Sequence, residues 1–343
     1  MSIKRKEVAA VLGGGSFGTA VATILAQNGH EARLWVRDAE TAAAINDDSE
    51  NPKYLPGSLL PSGVRASDDL IATLTDATIV FVAVPSAAFV EVLRKAKPHV
   101  PKDTMVVSCT KGISAEGFQL MSQLLAREWP QARIGVLSGP NLAKEIVDQT
   151  FTGTVIASGD DALCKRIQEA LSCEYFRVYQ SDDMFGVELG GALKNIYAIA
   201  TGMAAALGVG DNTRGLLIAR SLAEMSRFAA HLGGNPMTFL GLAGLGDLVV
   251  TCSSPLSRNY QVGYQVGKGK AVAEAVEQLG QTAEGINTVK LVAEKAAELA
   301  IYMPIATGLY NVLFKGMPLD AVIKGLMGGD HSYDVEFTVE VES

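Results

Sequence analysis

Short apolar runs alternate, over the first half of the chain, with stretches whose apolar residues recur at helical spacing. Strands are predicted over residues 8–12, 31–36, 78–84, 105–109, 134–137, 154–157 and 175–178. Several of these runs are continuous rather than alternating, the pattern of parallel strands buried on both faces. Helices are predicted between them, for example over 17–27, 87–96 and 119–128. Strand–helix alternation of this kind builds a doubly wound parallel sheet. The Pro/Gly-rich stretch from Asn51 to Gly63 reads as a surface loop. Near Ser181 strand signals stop, and helical periodicity covers 184–207, 212–231, 283–299 and 305–314. The fold class is therefore α/β, with an N-terminal doubly wound domain over 1–181 and an all-helical domain over 182–343. The first helix of the second half is rich in Ala and Gly, which predicts close helix packing. The tail over 330–343 holds Asp330, Asp334, Glu336, Glu340 and Glu342 without a Lys or Arg, and reads as a solvated acidic terminus.

Composition supports two globular domains. The chain has 343 residues, 48% hydrophobic and 19% charged, with 35 glycines, which suits two cores and excludes disorder. The 29 basic and 37 acidic residues give a net charge of −8, against a general nucleic-acid binder or a basic membrane-surface protein. An anionic substrate remains compatible, because a few converging cations bind phosphate whatever the net charge. Cys109, Cys164, Cys173 and Cys252 form no C-x-x-C pair, so buried free thiols in a reducing cytoplasm are expected. Lys4, Arg5 and Lys6 precede an apolar run of only five residues, from Val8 to Leu12, before three glycines break it. That is too short for a secretory or membrane segment, so no membrane insertion is expected.

Candidate chemistry begins at those glycines. Gly13-Gly-Gly15-Ser-Phe-Gly18 fits G-x-G-x-x-G between a predicted strand and a predicted helix. In a dinucleotide site the first glycine makes the tight turn, the second admits the pyrophosphate and the third lets helix and strand approach. The helix N-terminus then offers N–H groups and a positive dipole end. The second strand ends in Arg37 and Asp38. A carboxylate at this place selects NAD, whereas an arginine accommodates the 2′-phosphate of NADP. Arg37 comes first and Asp38 suits a helix cap, so NADPH is favoured and NAD stays open. The histidines His30, His99, His231 and His331 sit in no site pattern, and His30 and His99 fall at predicted surface turns. A proton for hydride chemistry must then come from another group, and lysine is the natural one. Lys111 ends a buried strand on the ligand side of the sheet, and Lys194 opens a long uncharged helical stretch, where it either snorkels outward or is held for function.

At these residues the chain resembles a family. The glycine turn, Cys109-Thr-Lys111-Gly112, Ser138-Gly-Pro140, Glu188-Leu-x-Gly-Ala-Leu-Lys194-Asn195, Gly210-Asp-Asn-Thr213, Gly241-Leu-Ala-Gly-Leu-Gly-Asp247 and Leu256-Ser-Arg-Asn259 are similar to the bacterial-type NAD(P)-dependent glycerol-3-phosphate dehydrogenases. The resemblance runs from about Val8 to Gly325. It implies a Rossmann-type domain, a helical domain and an active site in the cleft between them. It also implies reversible reduction of dihydroxyacetone phosphate, a small phosphorylated three-carbon substrate, to sn-glycerol 3-phosphate for glycerophospholipid synthesis, with a homodimer as a family expectation.

Carried over by position, Lys194 resembles the general acid/base and Lys111 the second lysine near substrate and cofactor, with Asp247 as catalytic partner. Asn195, Asp247 and Thr251 resemble partners of the reacting hydroxyl, and Ser257, Arg258 and Asn259 the substrate-phosphate and cofactor contacts. Gly139 and Asn141 join the substrate set; Gly13, Gly15, Ser16, Phe17, Gly18, Arg37, Tyr54, Lys111, Ala143, Arg258, Thr282 and Glu284 form the cofactor set, and no metal ligand is expected. Asn141 and Leu142 stand where the family usually has Ser or Thr then Phe, Ala206 replaces a common glycine, and Thr282 a usual Val. The chemistry fits the residue types. Hydride addition places negative charge on the ketone oxygen, which needs a proton donor nearby. A lysine beside a second cation is tuned towards neutrality, and Arg258 offers a forked phosphate donor. Two alternatives stay open: a hydroxy-acid dehydrogenase of similar build, and a non-catalytic NADPH-sensing protein.

Overall fold

Alternate residues of the apolar runs face two different cores, which is why those runs are continuous. Ala9 and Val11 join one cluster and Ala10 and Leu12 the other. Ile79 and Phe81 pair off against Val80 and Val82 in the same way, all four fully buried. The computed structural model describes residues 6–279 and 283–328. By contacts the chain divides into two units, Met1–Glu188 and Leu189–Ser343.

The first unit carries twelve strands among its described residues: β1 (Val8–Leu12), β2 (Glu31–Trp35), β3 (Glu50–Asn51), β4 (Leu55–Leu59), β5 (Val64–Ser67), β6 (Ile79–Val82), β7 (Met105–Ser108), β8 (Ile113–Ser114), β9 (Gln119–Leu120), β10 (Arg133–Ser138), β11 (Thr152–Ala157) and β12 (Phe176–Ser181). Eight of them form one sheet in the order β12-β11-β10-β7-β6-β1-β2-β5. Chain reversal on either side of β1 makes it doubly wound. Helices Ser16–Gln27 and Asp161–Leu171 supply Ile24, Leu25, Leu163 and Ile167 to one face, while Ser86–Ala96 and Met121–Glu128 supply Phe89, Leu93, Leu124 and Leu125 to the other.

Five sequence expectations need correction. The sheet is not wholly parallel: β10 and β11 run antiparallel, and Ser138 faces Val155. The stretch from Asn51 to Gly63 is not a plain loop, because β3 and β4 pair antiparallel there despite Pro56 and Gly57. β5 was hidden because it is a short strand pairing along one side only, with β2. Residues 119–120 are strand rather than the start of a helix. His30 also departs from its expected surface turn: it is buried, and its Nδ1 accepts the Glu7 N–H at 3.2 Å. Of the four free cysteines, Cys109, Cys164 and Cys252 are buried and Cys173 is half-buried.

The described residues of the second unit contain helices and no strand. Its close packing is bought with glycine: a Cβ on Gly202 would lie 2.1 Å from the Tyr260 carbonyl oxygen, and one on Gly263 would lie 2.0 Å from that of Ile199. The helices Met184–Ala206 and Arg258–Gly267 therefore cross almost backbone to backbone. Helix Asp211–His231 supplies Glu224, whose buried carboxylate accepts the Ile305 N–H at 2.6 Å and the Ala306 N–H at 3.2 Å. It thereby caps Pro304–Lys315 from outside that helix. Burial pushes the Glu224 carboxyl up to about 7. Among the described residues no helix is long and apolar enough to cross a membrane. The acidic tail lies outside the described residues.

Candidate active site

The glycine motif is built as its spacing requires. Gly13 has φ +116°, and a Cβ there would sit 2.6 Å from the Ala83 carbonyl oxygen. A Cβ on Gly18 would approach the Gly13 carbonyl oxygen to 1.9 Å, so this glycine lets the helix press on its own turn. Gly15 has open space around its Cβ position and precedes helix Ser16–Gln27. No side chain caps that helix and no acidic residue stands in its first turn, so its first N–H groups are left for an outside acceptor. A pyrophosphate fits such a cradle: backbone donors, a positive dipole end and room at the one position where the anion must come close. Phe17 is half-buried against the core beneath it.

A residue that sequence reasoning missed holds this turn. Asn51 is fully buried, and its Nδ2 donates to the Gly14 carbonyl and to Thr19 Oγ1, both at 2.9 Å. Its own Oδ1 accepts the Tyr54 N–H at 3.3 Å, and Ser16 Oγ donates to the Tyr54 carbonyl at 2.9 Å. The β3–β4 hairpin and the glycine turn are thus one bonded assembly. An Asn-Pro pair signals a turn, but nothing in it signals that the amide is buried. At the end of β2, Arg37 is exposed and Asp38 caps helix Ala39–Asp47 by accepting the Thr41 N–H at 2.8 Å. Hydrogen bonding from the Thr41 side chain and then its N–H holds the Asp38 carboxyl below its usual range, helped by Lys53 and Arg37.

Along the same sheet edge, Lys111 follows β7 and donates from Nζ to the Gly139 carbonyl at 2.8 Å. Gly139 has φ +148°, and a Cβ there would crowd the backbone of Thr154 at 3.1 Å. Asn141 Nδ2 donates to Thr154 Oγ1 at 2.9 Å, while its buried Oδ1 has no hydrogen-bond partner within the protein. Ala143 opens the short helix Ala143–Val147. Cys109, beside this lysine, stays a thiol because burial pushes its pKa up.

The second unit brings its predicted residues together separately. Lys194 is 7% exposed and Asp247 1%. Lys194 Nζ lies 2.5 Å from Asp247 Oδ1 and 2.6 Å from Thr251 Oγ1. The lysine is held inward, not snorkelled. Asp247 follows a single π-helical turn, Leu242–Gly246, of the kind that re-aims side chains at functional sites. Glycines are needed in and against this turn: a Cβ on Gly244 would strike the Phe239 backbone at 2.2 Å, and one on Gly190, in helix Met184–Ala206, would lie 2.8 Å from the Ala243 carbonyl oxygen. Asn195 Oδ1 accepts from Asn259 Nδ2 at 2.9 Å, and Asn259 Oδ1 accepts the Gly285 N–H at 3.0 Å. Ser257 caps helix Arg258–Gly267, accepting the Tyr260 N–H at 3.3 Å, and leaves Arg258 exposed at its first position. Glu284, half-buried, starts the helix that carries Gly285. Thr282 lies outside the described residues. Cys252 is no rival nucleophile, since burial pushes its thiol up to about 12.

A glycine turn opening a helix on a mostly parallel sheet, with a buried lysine–aspartate pair in a helical second unit, defines an NAD(P)-dependent dehydrogenase. Comparison with known proteins agrees. The model of the NAD-dependent glycerol-3-phosphate dehydrogenase N-terminus matches residues 8–164, and that of its C-terminus residues 183–324. A glycerol-3-phosphate dehydrogenase [NAD(P)+] of Alcanivorax borkumensis is 65% identical over 334 residues, covering 97% of each chain. One from Pseudomonas aeruginosa is 57% identical over 330 residues, covering 96% of each. The solved glycerol-3-phosphate dehydrogenase of Coxiella burnetii superposes with a TM-score of 0.90 at 38% identity, over 94% of this chain and 99% of that one. The chain belongs to the NAD-dependent glycerol-3-phosphate dehydrogenase family.

Proposed function

We infer that this chain catalyses the reversible reduction of dihydroxyacetone phosphate to sn-glycerol 3-phosphate, the glycerol backbone of phospholipids. The observation that carries the catalytic assignment is the buried Lys194, with Asp247 at 2.5 Å and Thr251 at 2.6 Å. A buried ammonium with a carboxylate partner is aimed and held, the state a general acid needs. NAD(P)H, when bound, supplies the hydride. Lys194 Nζ gives its proton to the ketone oxygen as charge develops there, and takes it back in the oxidative direction. Asp247 and Thr251 fix the direction of the Nζ–H bonds. Asn195 and Asn259, tied to each other and to the Gly285 backbone, offer rigid polar groups to the substrate hydroxyls. Arg258 and Ser257, at the start of one helix, take the substrate phosphate, where a forked cation and a helix N-terminus both favour an anion.

Gly13, Gly15, Ser16, Phe17 and Gly18 take the pyrophosphate, with Tyr54, Lys111, Ala143, Glu284 and Thr282 as further cofactor contacts. Lys111, Gly139 and Asn141 serve the substrate side. Arg37 reads a ribose 2′-phosphate, which favours NADPH; one oxygen of Asp38 is already taken by the Thr41 N–H. Four free cysteines suit a reducing cytoplasm, and the family expectation is a homodimer. The deciding experiment follows loss of NADPH absorbance with dihydroxyacetone phosphate against a panel of 2-keto acids. Turnover with the triose phosphate alone supports the reading. Turnover with the acids, or NADPH binding without turnover, would replace it by one of the two alternatives.

A further inference from the structure

We propose that Lys53, on the turn between β3 and β4, is a second cation for the 2′-phosphate of NADPH and so a determinant of cofactor choice. The proposal rests on the cofactor reading given for Arg37. A phosphate monoester carries nearly two negative charges, and a single exposed arginine neutralises one of them. Lys53 is exposed, but its backbone is not loose. Its neighbours on both sides are tied to the glycine turn: Asn51 by two hydrogen bonds of 2.9 Å, and Tyr54 through the Ser16 hydroxyl at 2.9 Å. The Lys53 ammonium lies 5.4 Å from the centroid of the Tyr54 ring, which restricts where the side chain goes.

Gly14, whose carbonyl Asn51 holds, packs against Val36, the residue before Arg37: a Cβ on Gly14 would lie 2.2 Å from Val36 Cγ1, so the turn that carries Lys53 is tied to the end of β2. Both cations also act on Asp38 there, after the Thr41 hydrogen bonds that dominate. Three of the acidic groups near them are hydrogen-bonded or paired. Asp38 caps its helix through Thr41, Glu50 accepts the Gly57 N–H at 2.8 Å, and Glu91 pairs with Lys95 at 2.7 Å. Asp38 and Glu50 keep their charge but turn a carboxylate oxygen to a backbone N–H, so an incoming anion meets two cations, Arg37 and Lys53, on and beside an anchored turn, next to the place where a Rossmann sheet receives the adenosine ribose. A dianion at the 2′ position fits it, and a bare hydroxyl gains little from it.

The test measures binding and not turnover. Lys53→Met keeps the alkyl stem against Tyr54 and removes the charge; Lys53→Arg restores a cation. Titration calorimetry with NADPH, NADH and 2′-AMP is run on both variants and on Arg37→Ala. Lys53→Met is expected to weaken NADPH and 2′-AMP about tenfold and to leave NADH within about twofold, with Lys53→Arg close to the parent protein. Equal weakening of NADPH and NADH, or no weakening of either, overturns the proposal. The two ideas fail separately. If Arg37→Ala discriminates and Lys53→Met does not, the cofactor reading stands and Lys53 is a solvated surface lysine. If Lys53→Met alone discriminates, Lys53 and not Arg37 reads the phosphate.

Discussion

On the proposed reading, the two units hold an anion and move a proton with different materials. In the first, the glycine turn is mostly backbone: removal of side chains at Gly13, Gly15 and Gly18 creates the cradle, and the donors are N–H groups that never titrate. In the second, the proposed chemistry sits in side chains drawn from distant points of the chain. Lys194 meets Asp247 across 53 positions, and Asn195 meets Asn259 across 64. A backbone site tolerates changes in surrounding side chains but no added Cβ. A side-chain site tolerates backbone drift only as far as the packing of glycine-rich helices allows.

The largest expected effect lies in the second unit. Lys194→Met keeps the volume of the buried stem and has no proton to give, so kcat should fall by about 10²–10⁴. Equilibrium binding of NADPH should be unchanged, because the cofactor residues of the first unit are untouched. Near-native kcat in this variant would remove Lys194 from the mechanism, and the contrast between the units with it.

Next in size is a pH effect on stability, with one source in each unit. Burial raises Glu188 and Glu224 from 4.5 to about 7. Glu188 accepts the Ser122 N–H at 2.9 Å and the Ser122 hydroxyl; Glu224 caps the helix at Ile305 and accepts the Tyr197 hydroxyl at 3.2 Å. Between pH 4.5 and 7 the folded protein therefore binds protons that the unfolded chain has lost. The stabilisation from each group is complete below about 4.5 and is lost as pH rises through about 7, worth up to about 3 kcal/mol per group. Urea unfolding across this range should show that slope, and Glu224→Gln and Glu188→Gln should each flatten it by one proton. An unchanged slope in both variants would mean that both carboxyls titrate normally in the folded protein.

Arg258→Ala comes third. Loss of a charge-assisted phosphate contact costs about 1.5–3 kcal/mol, so KM for dihydroxyacetone phosphate should rise roughly 10- to 150-fold. Unchanged KM and kcat would take Arg258 out of the substrate set and leave it a surface arginine at a helix start.

How far the sequence could be read follows the same division. The glycine turn was legible because its three motif glycines fall within six residues and each has one mechanical reason to be there. The strands β1, β6 and β7 were legible because burial on both faces leaves them apolar, with only Ser108 at the end of β7 polar. The β3–β4 hairpin was not, since a proline and a glycine inside a five-residue strand look like a loop and only pairing reveals it. Helices Asp247–Ser253 and Val272–Leu279 were missed for their shortness. Lys194 stood out as a charge at the start of an uncharged stretch, but its partner did not: spacing along the chain gives no reason to join it to Asp247, and resemblance to a family had to do so.

Asn51 is where the comparison sharpens. The backbone cradle of the first unit is not wholly backbone, because one buried side-chain amide braces the Gly14 carbonyl and Thr19 at 2.9 Å and also holds the hairpin at Tyr54. Gly14 lies inside the turn, and the pyrophosphate is common to both cofactors. Asn51→Ala should therefore weaken both cofactors, NADH by about 5- to 30-fold for one or two buried hydrogen bonds and NADPH by at least as much, since the released turn also carries Lys53. KM for dihydroxyacetone phosphate and kcat at saturating cofactor should stay within about twofold. That pattern marks a positioning residue, since a merely structural loss lowers the melting temperature and the amount of active enzyme without moving a binding constant. It also separates Asn51 from Lys53, whose loss is expected to act on NADPH alone. Unaltered binding of both cofactors in Asn51→Ala would show that the three glycines and the helix N-terminus shape the cradle without a brace.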